Sequence, residues 1–102
     1  MKKTFVFNPP GKHPERHLEA IKHELRRYLR RENRRELPEG VDYWDFDCRM
    51  GESPETAEEI RPAEIIKRVD AAARSGHSAF YIEILSKPVT RAPKKEDPAG
   101  ED

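Results

Sequence analysis

Cysteine, long apolar runs and glycine-rich loops are scarce or missing in this 102-residue sequence. The one cysteine, Cys48, excludes an internal disulfide and a cysteine cluster for zinc. No apolar run approaches the length of a membrane-spanning helix. The short apolar run after Met1 ends at Asn8, well before a secretory signal would be complete. We therefore expect a cytoplasmic protein that does not enter a membrane.

The common catalytic motifs are missing as well. The sequence holds no glycine-rich phosphate loop, no Gly-x-Ser-x-Gly and no His-Glu-x-x-His. His13 and His17 have a spacing that can chelate a metal, but His13 precedes Pro14 and is biased out of the helical region. Cys48 falls between two apolar positions, which favours an inert buried thiol. The sequence thus predicts a non-enzymatic protein with no cofactor and no metal.

Charge is abundant and unevenly distributed. Charged residues make up 39% of the chain and hydrophobic ones 34%, so the core must be small. The formal net charge is zero, yet residues 1–40 carry 11 basic and 6 acidic side chains, whereas residues 41–102 carry 9 and 14. A division of +5 against −5 allows internal pairing or attraction of partners of either sign.

The main feature is one long basic helix, predicted from Pro14 to about Arg35. At about 100° per residue, its apolar side chains fall in one sector: Leu18, Ile21, Leu25, Tyr28 and Leu29. Six arginines cover the opposite side and form the candidate polyanion-binding site: Arg26, Arg27, Arg30, Arg31, Arg34 and Arg35. Such a row can follow a line of phosphates. The alternative is a solvated face, or one paired with nearby glutamates or with Asp45 and Asp47.

Short strands and a second helix complete the pattern. We predict strands at Thr4–Phe7, Val41–Met50 and Ala79–Leu85, and a helix from Pro62 to Gly76. On the second of these strands one face carries Trp44, Phe46, Cys48 and Met50, and the other carries Tyr43, Asp45, Asp47 and Arg49. Trp44 and Phe46 are expected to contribute most to the core. Ala57–Arg61 is predicted as a short strand; the competing interpretation, a helix opened by Thr56, would be broken by Pro62.

This order predicts an α+β fold with two helices on one face of a small antiparallel sheet, the ferredoxin-like βαββαβ arrangement. If Ala57–Arg61 is not a strand, a three-stranded βαβαβ version remains. In the ferredoxin-like sheet the strand that carries Asp45 and Asp47 would lie at an edge, where charges discourage edge-to-edge pairing. Residues 1–86 are predicted to form one domain, and residues 87–102 a disordered charged tail.

The favoured function is binding of a polyanion, with RNA as the first candidate, through the arginine side of the first helix. The other sheet face offers Tyr43 and Tyr81 for base stacking, but Asp45, Asp47 and Glu83 flank them and repel phosphate. Asp45 and Asp47 lie about 7 Å apart, a spacing that fits a hard cation, but no third ligand is evident. The alternative function is a protein-interaction module or homo-oligomer that pairs the basic helix with the acidic strand and loop.

Two stretches carry a resemblance to a known family: Met1-Lys-Lys-Thr-Phe5 and the segment from Leu37-Pro-Glu-Gly to Trp44-Asp-Phe-Asp-Cys48. Together with the intervening Lys-His-Pro-Glu-Arg and Arg-Arg-Tyr-Leu-Arg-Arg segments, they resemble a family of uncharacterised bacterial proteins of about this length, classed as a domain of unknown function. The resemblance covers about residues 1–85. It implies a bacterial cytosolic protein and brings no activity, ligand or catalytic residue.

Overall fold

A computed structural model describes residues 1–91 of the chain. The elements in chain order are β1 (Lys2–Val6), α1 (Pro14–Asn33), β2 (Tyr43–Gly51), β3 (Glu58–Ile60), a 3-10 turn (Pro62–Glu64), α2 (Ile65–Arg74) and β4 (Ala79–Val89). The predicted α+β class is confirmed. The short strand expected near Ala57–Arg61 forms as β3, so the three-stranded alternative is wrong.

The order of the strands differs from the ferredoxin-like prediction. The four strands form one antiparallel sheet in the order β1-β4-β2-β3. β2, which the ferredoxin-like order would place at an edge, is therefore central, and so is β4. The reason lies in β4 itself, where Phe80, Tyr81, Ile82 and Ile84 are all buried. A strand with buried side chains on both faces is best placed between two neighbours.

β4 also continues beyond the end that the sequence predicted. Its last residues, Lys87 to Val89, pair with Asp45 to Tyr43 of β2. The predicted domain boundary at residue 86 is therefore too early. The composition of this segment hid the extension, because Ser86, Lys87 and Pro88 resemble the start of a polar tail. The rest of the predicted tail, residues 92–102, lies outside the described residues.

Both helices pack on the same face of the sheet. Ile21 and Leu25 of α1 and Ile65 and Val69 of α2 belong to one buried cluster. The sheet contributes residues that are paired across strands: Phe5 opposite Phe80, and Cys48 opposite both Ile84 and Ile60. The largest fully buried side chains include Phe80, Leu25, Ile65 and Ile82. The alternation predicted for β2 thus places its even-numbered residues correctly on the helix-covered face.

Trp44, however, is not a main contributor to this core. It lies on the covered face but near the end of α1, where it is half-buried and outside the buried cluster. Its indole Nε1 donates a hydrogen bond of 3.0 Å to the carbonyl of Arg35. Phe46 is also only partly buried, although it packs against the cluster. The expectation that these two aromatic residues dominate the core is wrong; aliphatic residues and Phe80 do so.

Local chemistry fixes the ends of both helices. α1 begins with Pro14 at its first turn, where a missing N–H costs nothing because those donors have no partner within the helix. At the start of the 3-10 turn the N–H of Arg61 donates 3.0 Å to the Glu64 carboxylate. Gly76, with φ of 82°, ends α2 as predicted, since the left-handed conformation is easily reached only by glycine.

At two stretches where a strand lacks a neighbour, a single residue accounts for the backbone group that would otherwise be unpaired. β3 pairs only with Cys48 to Met50, so among the described residues the outer edge of β2 is uncovered near Phe46. There Asp45 Oδ1 accepts a hydrogen bond of 2.8 Å from the N–H of Phe46. On β4 the backbone of Ile84 faces Met1, and Pro88 has the same orientation beyond the reach of β1. Its missing N–H therefore removes no ladder bond.

Candidate functional site

The arginine side of α1 faces away from the sheet. All six predicted site residues are exposed: Arg26, Arg27, Arg30, Arg31, Arg34 and Arg35. Four of them, spaced three and four residues apart, line one shallow groove of about 310 Å³, here called the arginine groove: Arg27, Arg30, Arg31 and Arg34. This spacing places them as neighbours on a helix surface. The structure therefore brings four of the six predicted residues into one site.

Most of these arginines have no acidic partner in the described part of the chain. Within residues 1–91 no carboxylate lies within 4.0 Å of the guanidinium groups of Arg26, Arg27, Arg30 or Arg34. Arg31 has one long contact, 3.8 Å from its Nε to Glu32, and its guanidinium lies 5.3 Å from the centre of the Tyr28 ring. The arginine groove is thus a concentration of positive charge that residues 1–91 leave nearly uncompensated.

Arg35 is the exception and belongs to the contacts that close the fold. Its Nη1 donates to Glu32 at 2.7 Å and to the Ser86 hydroxyl at 3.2 Å. Its guanidinium also lies 4.6 Å from the centre of the Trp44 ring. The hydrogen bond from Arg35, with smaller contributions from the charges of Arg35 and Arg31, lowers the pKa of the Glu32 carboxyl despite its burial. Arg35 was predicted with the other five, but it holds the end of α1 on the sheet.

Asp45 and Asp47 do not reach the arginines. Asp45 accepts a hydrogen bond from its own neighbour, the N–H of Phe46, and Asp47 forms an ion pair of 2.8 Å with Lys87. The hydrogen bond and charge of Asp47 raise the pKa of Lys87. Pairing of the arginine side with this strand, one alternative left open by the sequence, does not occur within residues 1–91. In that range no group of three metal-binding side chains is found either.

The open sheet face is not an aromatic platform. Tyr81 is only 8% exposed, and its hydroxyl donates 2.8 Å to Glu83. Glu83 lies 3.6 Å from Arg49, which in turn donates to the carbonyl of Ala57 at 2.8 Å. Burial and the hydrogen bond to Glu83 raise the pKa of Tyr81. Tyr81 is thus engaged inside the protein rather than offered to a ligand, which removes one of the two stacking residues that the sequence suggested.

A second groove adjoins the arginine groove and was missed by sequence reasoning. It is about 450 Å³ in volume, and we call it the Tyr28 groove: Met1, Ala20, His23, Glu24, Arg27, Tyr28 and Arg31 line it. Arg27 and Arg31 are shared by both grooves. Helical periodicity assigned Tyr28 to the apolar sector, where it does pack on the core, but the ring is half-buried and also lines this groove. Only its position at the boundary of that sector hinted at a second role.

A third cleft, of about 230 Å³, lies between α2 and the end of β2. Its apolar floor includes Met50 and Phe80, and Arg68 and Ser75 stand at its rim. There His77 Nδ1 lies 3.2 Å from a carboxylate oxygen of Glu52. Glu52 is largely exposed and His77 is half-buried, so this contact lies next to water. His17 is also occupied, since its Nε2 lies 2.7 Å from the carbonyl oxygen of Val6.

A model described as a family of unknown function, DUF6172, matches residues 1–95. No curated protein and no solved structure matches the chain. Among the described helices, none has the length and apolar character needed to cross a membrane.

Proposed function

We propose that this chain, which belongs to the DUF6172 family of unknown function, binds a polyanion, and RNA in the first place, through the arginine groove of α1. The protein would act without catalysis and in the cytoplasm. The family carries no activity that could be transferred to the chain. The proposal therefore depends on the charges and geometry of its own residues.

The observation that carries the proposal is a group of exposed arginines that, within residues 1–91, have a single long contact with an acidic side chain, in a chain that is neutral overall. Arg27, Arg30, Arg31 and Arg34 line one groove. Like charges three and four residues apart destabilise a helix by a few tenths of a kcal/mol each. A merely solvated helix face would gain by placing glutamates among them, as happens at Glu32 and Arg35. Binding of phosphate groups would remove the repulsion between the arginines and release the counterions of the nucleic acid.

The groove also has suitable dimensions. From Arg27 to Arg34 the helix rises about 10 Å, at about 1.5 Å per residue. Guanidinium groups can bind phosphate oxygens through two parallel hydrogen bonds. Because three of the side chains project from α1 and that of Arg34 from its C-terminal cap, they require no rearrangement of the fold to meet a phosphate backbone. Sequence readout is not expected from these contacts, since phosphates carry none.

The test is the salt dependence of RNA binding. Fluorescence anisotropy with a labelled single-stranded RNA at several salt concentrations should give a log–log slope of about −3 if four arginines neutralise phosphates. A variant with Arg27, Arg30, Arg31 and Arg34 all replaced by glutamine should bind far more weakly and with a slope near zero. Its melting temperature should be nearly unchanged, because none of these four side chains closes the fold.

The matched control replaces four exposed basic residues elsewhere by glutamine: Lys67, Arg68, Arg74 and Arg91. It lowers the net charge by the same amount and should retain both affinity and slope. Equal losses in both variants would mean that net charge, not the arginine groove, drives binding. No binding by the unmodified protein at tens of micromolar and low salt would refute the proposal. If that protein instead sediments as a salt-sensitive oligomer, self-association through the arginine groove takes its place.

A further inference from the structure

Two grooves of different chemistry meet on α1. The arginine groove is lined by arginines alone, whereas the Tyr28 groove combines an aromatic ring with His23, Glu24 and the small aliphatic side chain of Ala20. The shared residues Arg27 and Arg31 form the wall between them. A ligand that follows the arginines therefore passes the mouth of the Tyr28 groove.

We propose that the Tyr28 groove receives one unpaired base of a single-stranded RNA, stacked on Tyr28, while the neighbouring phosphates lie on the arginine groove. This inference rests on the proposed function and specifies its ligand. It predicts a preference for single strands over duplexes, which the arginines alone would not produce.

The ring of Tyr28 is fixed in position, as a surface for base stacking requires. One side of the ring packs against the buried cluster, and its hydroxyl accepts a hydrogen bond of 3.1 Å from the Met1 amino group. Burial is the first cause of the raised pKa of this hydroxyl. The ring is therefore fixed before a ligand arrives, so stacking loses little conformational entropy. Aromatic rings accept any base, because every base presents a π face.

Arg31 is placed to cover the base. Its guanidinium lies 5.3 Å from the centre of the Tyr28 ring, and its side chain is 69% exposed. The long contact to Glu32 is its one acidic contact in the described residues, so it can move at little cost. A planar guanidinium stacks on bases as it does on aromatic rings. A base between Tyr28 and Arg31 would thus have partners on both faces.

The edge of the base would also find hydrogen-bonding groups. Glu24 lines the groove and lies 2.6 Å from Lys3, so its charge is compensated and repels a nearby phosphate less. Its carboxylate can accept hydrogen bonds from amino groups of a base. His23 offers ring nitrogens in the same groove. In a duplex these base edges and faces are already occupied, and only the phosphates would remain for the arginines.

The test uses one RNA strand with a 2-aminopurine base, alone and annealed to its complement. With the unmodified protein, the single strand should show quenched 2-aminopurine fluorescence at one or two label positions and the tighter binding. Tyr28→Leu keeps apolar packing but removes the ring. It should weaken single-strand binding about tenfold to a hundredfold, leave duplex binding within twofold, and leave the salt slope unchanged.

The matched control is Tyr28→Phe, which keeps the ring and loses only the hydroxyl contact. It should bind single strands like the unmodified protein. Equal affinity of the unmodified protein for single strand and duplex, or no quenching at any label position, overturns this inference while the arginine proposal stands. That second readout needs no variant, so a poorly folded Tyr28→Leu protein would not prevent a decision. If the unmodified protein binds neither the single strand nor the duplex, the proposed function itself is overturned.

Discussion

The two sides of α1 differ in whether their polar side chains have partners. On the inner side each polar group near the sheet has a partner: Lys22 Nζ lies 2.9 Å from both Glu19 and Asp70, and Glu32 binds Arg35 and Ser86. On the outer side, guanidinium groups of the arginine groove stand next to one another instead. Burial without a partner costs free energy, and exposure does not. Unpaired charge is thus tolerated only where water, or a ligand, can reach it.

The contrast is sharpest at two consecutive residues. Arg34 lines the arginine groove, whereas Arg35 is bound to Glu32, Ser86 and Trp44. Both residues follow Asn33, the last residue of α1, and where the chain leaves the helix one side chain points to the outer side and the other toward the sheet. Residue type and exposure class are the same for both. Their difference lies in what the tertiary structure brings beside them.

The largest expected effect comes from the inner side. Leu25 is fully buried between α1 and the sheet, so Leu25→Ala should lower the free energy of unfolding by about 2–5 kcal/mol. Urea unfolding followed by Trp44 fluorescence measures this. Arg26→Ala, on the exposed side and outside both grooves, is the control and should change stability by less than about 0.5 kcal/mol. Similar losses in the two variants would show that α1 is not seated on the sheet as described.

The pKa of the Cys48 thiol reports how well the inner side of α1 and the sheet exclude water. Burial first, and then the charges of Asp47 and Asp45, raise its pKa from 9.0 to about 11. The unfolded chain therefore ionises before the folded protein does. Stability that depends on the neutral thiol is complete below pH 9 and lost as the pH rises from 9 to 11, which amounts to about 2–3 kcal/mol.

Cys48→Ala provides the comparison for this titration. Unfolding free energies of both proteins at pH 8, 9.5 and 10.5 should converge as the pH rises, because the variant has no thiol to ionise. Lys22, whose pKa is raised by its hydrogen bonds to Glu19 and Asp70, contributes equally to both curves. Parallel curves would mean that water reaches the sulfur.

The smallest effect separates Arg34 from Arg35. Arg35→Gln should cost about 1 kcal/mol, because it leaves the half-enclosed Glu32 carboxylate without its main partner. Because the pKa of the Glu32 carboxyl is lowered, its interaction with Arg35 stabilises the unmodified protein above pH 4.5, and this stabilisation is lost as the pH falls. Arg34→Gln should leave stability within about 0.5 kcal/mol and lower RNA affinity severalfold. Thermal unfolding and anisotropy on both variants measure this; equal melting temperatures would contradict the assignment of Arg35 to the fold.

Local patterns were sufficient to predict the elements of this fold. The apolar period of α1, the alternation along β2 and the stop at Gly76 each depend on near neighbours in the sequence, and each matches the structure. The order of the strands in the sheet does not follow from such local patterns. It depends on how well β4 is buried between β1 and β2, and a run such as Phe80-Tyr-Ile-Glu-Ile84 does not say which neighbours it has.

The candidate site was predictable to a similar extent. Spacing alone brought Arg27, Arg30, Arg31 and Arg34 together, because their positions follow from the helix. It could not separate Arg35, whose partners Ser86 and Trp44 come from other strands. Nor could it reveal the Tyr28 groove, since Met1, which precedes β1, lines it from a distant part of the sequence. What the sequence missed, in each case, needs a contact between distant segments.

The central position of β4 has a consequence for how the chain folds. β4 is the last strand in chain order, and it joins β1 and β2, with Met1 and Ile84 paired across 83 residues. Neither neighbour can complete its ladder until β4 arrives, so loop-closure entropy is lost before most sheet contacts are gained. During synthesis, the apolar side of α1 would be present long before the strand that covers it. We therefore expect docking of β4 to limit the folding rate. Chains in which β4 has not yet docked should be the most prone to aggregation.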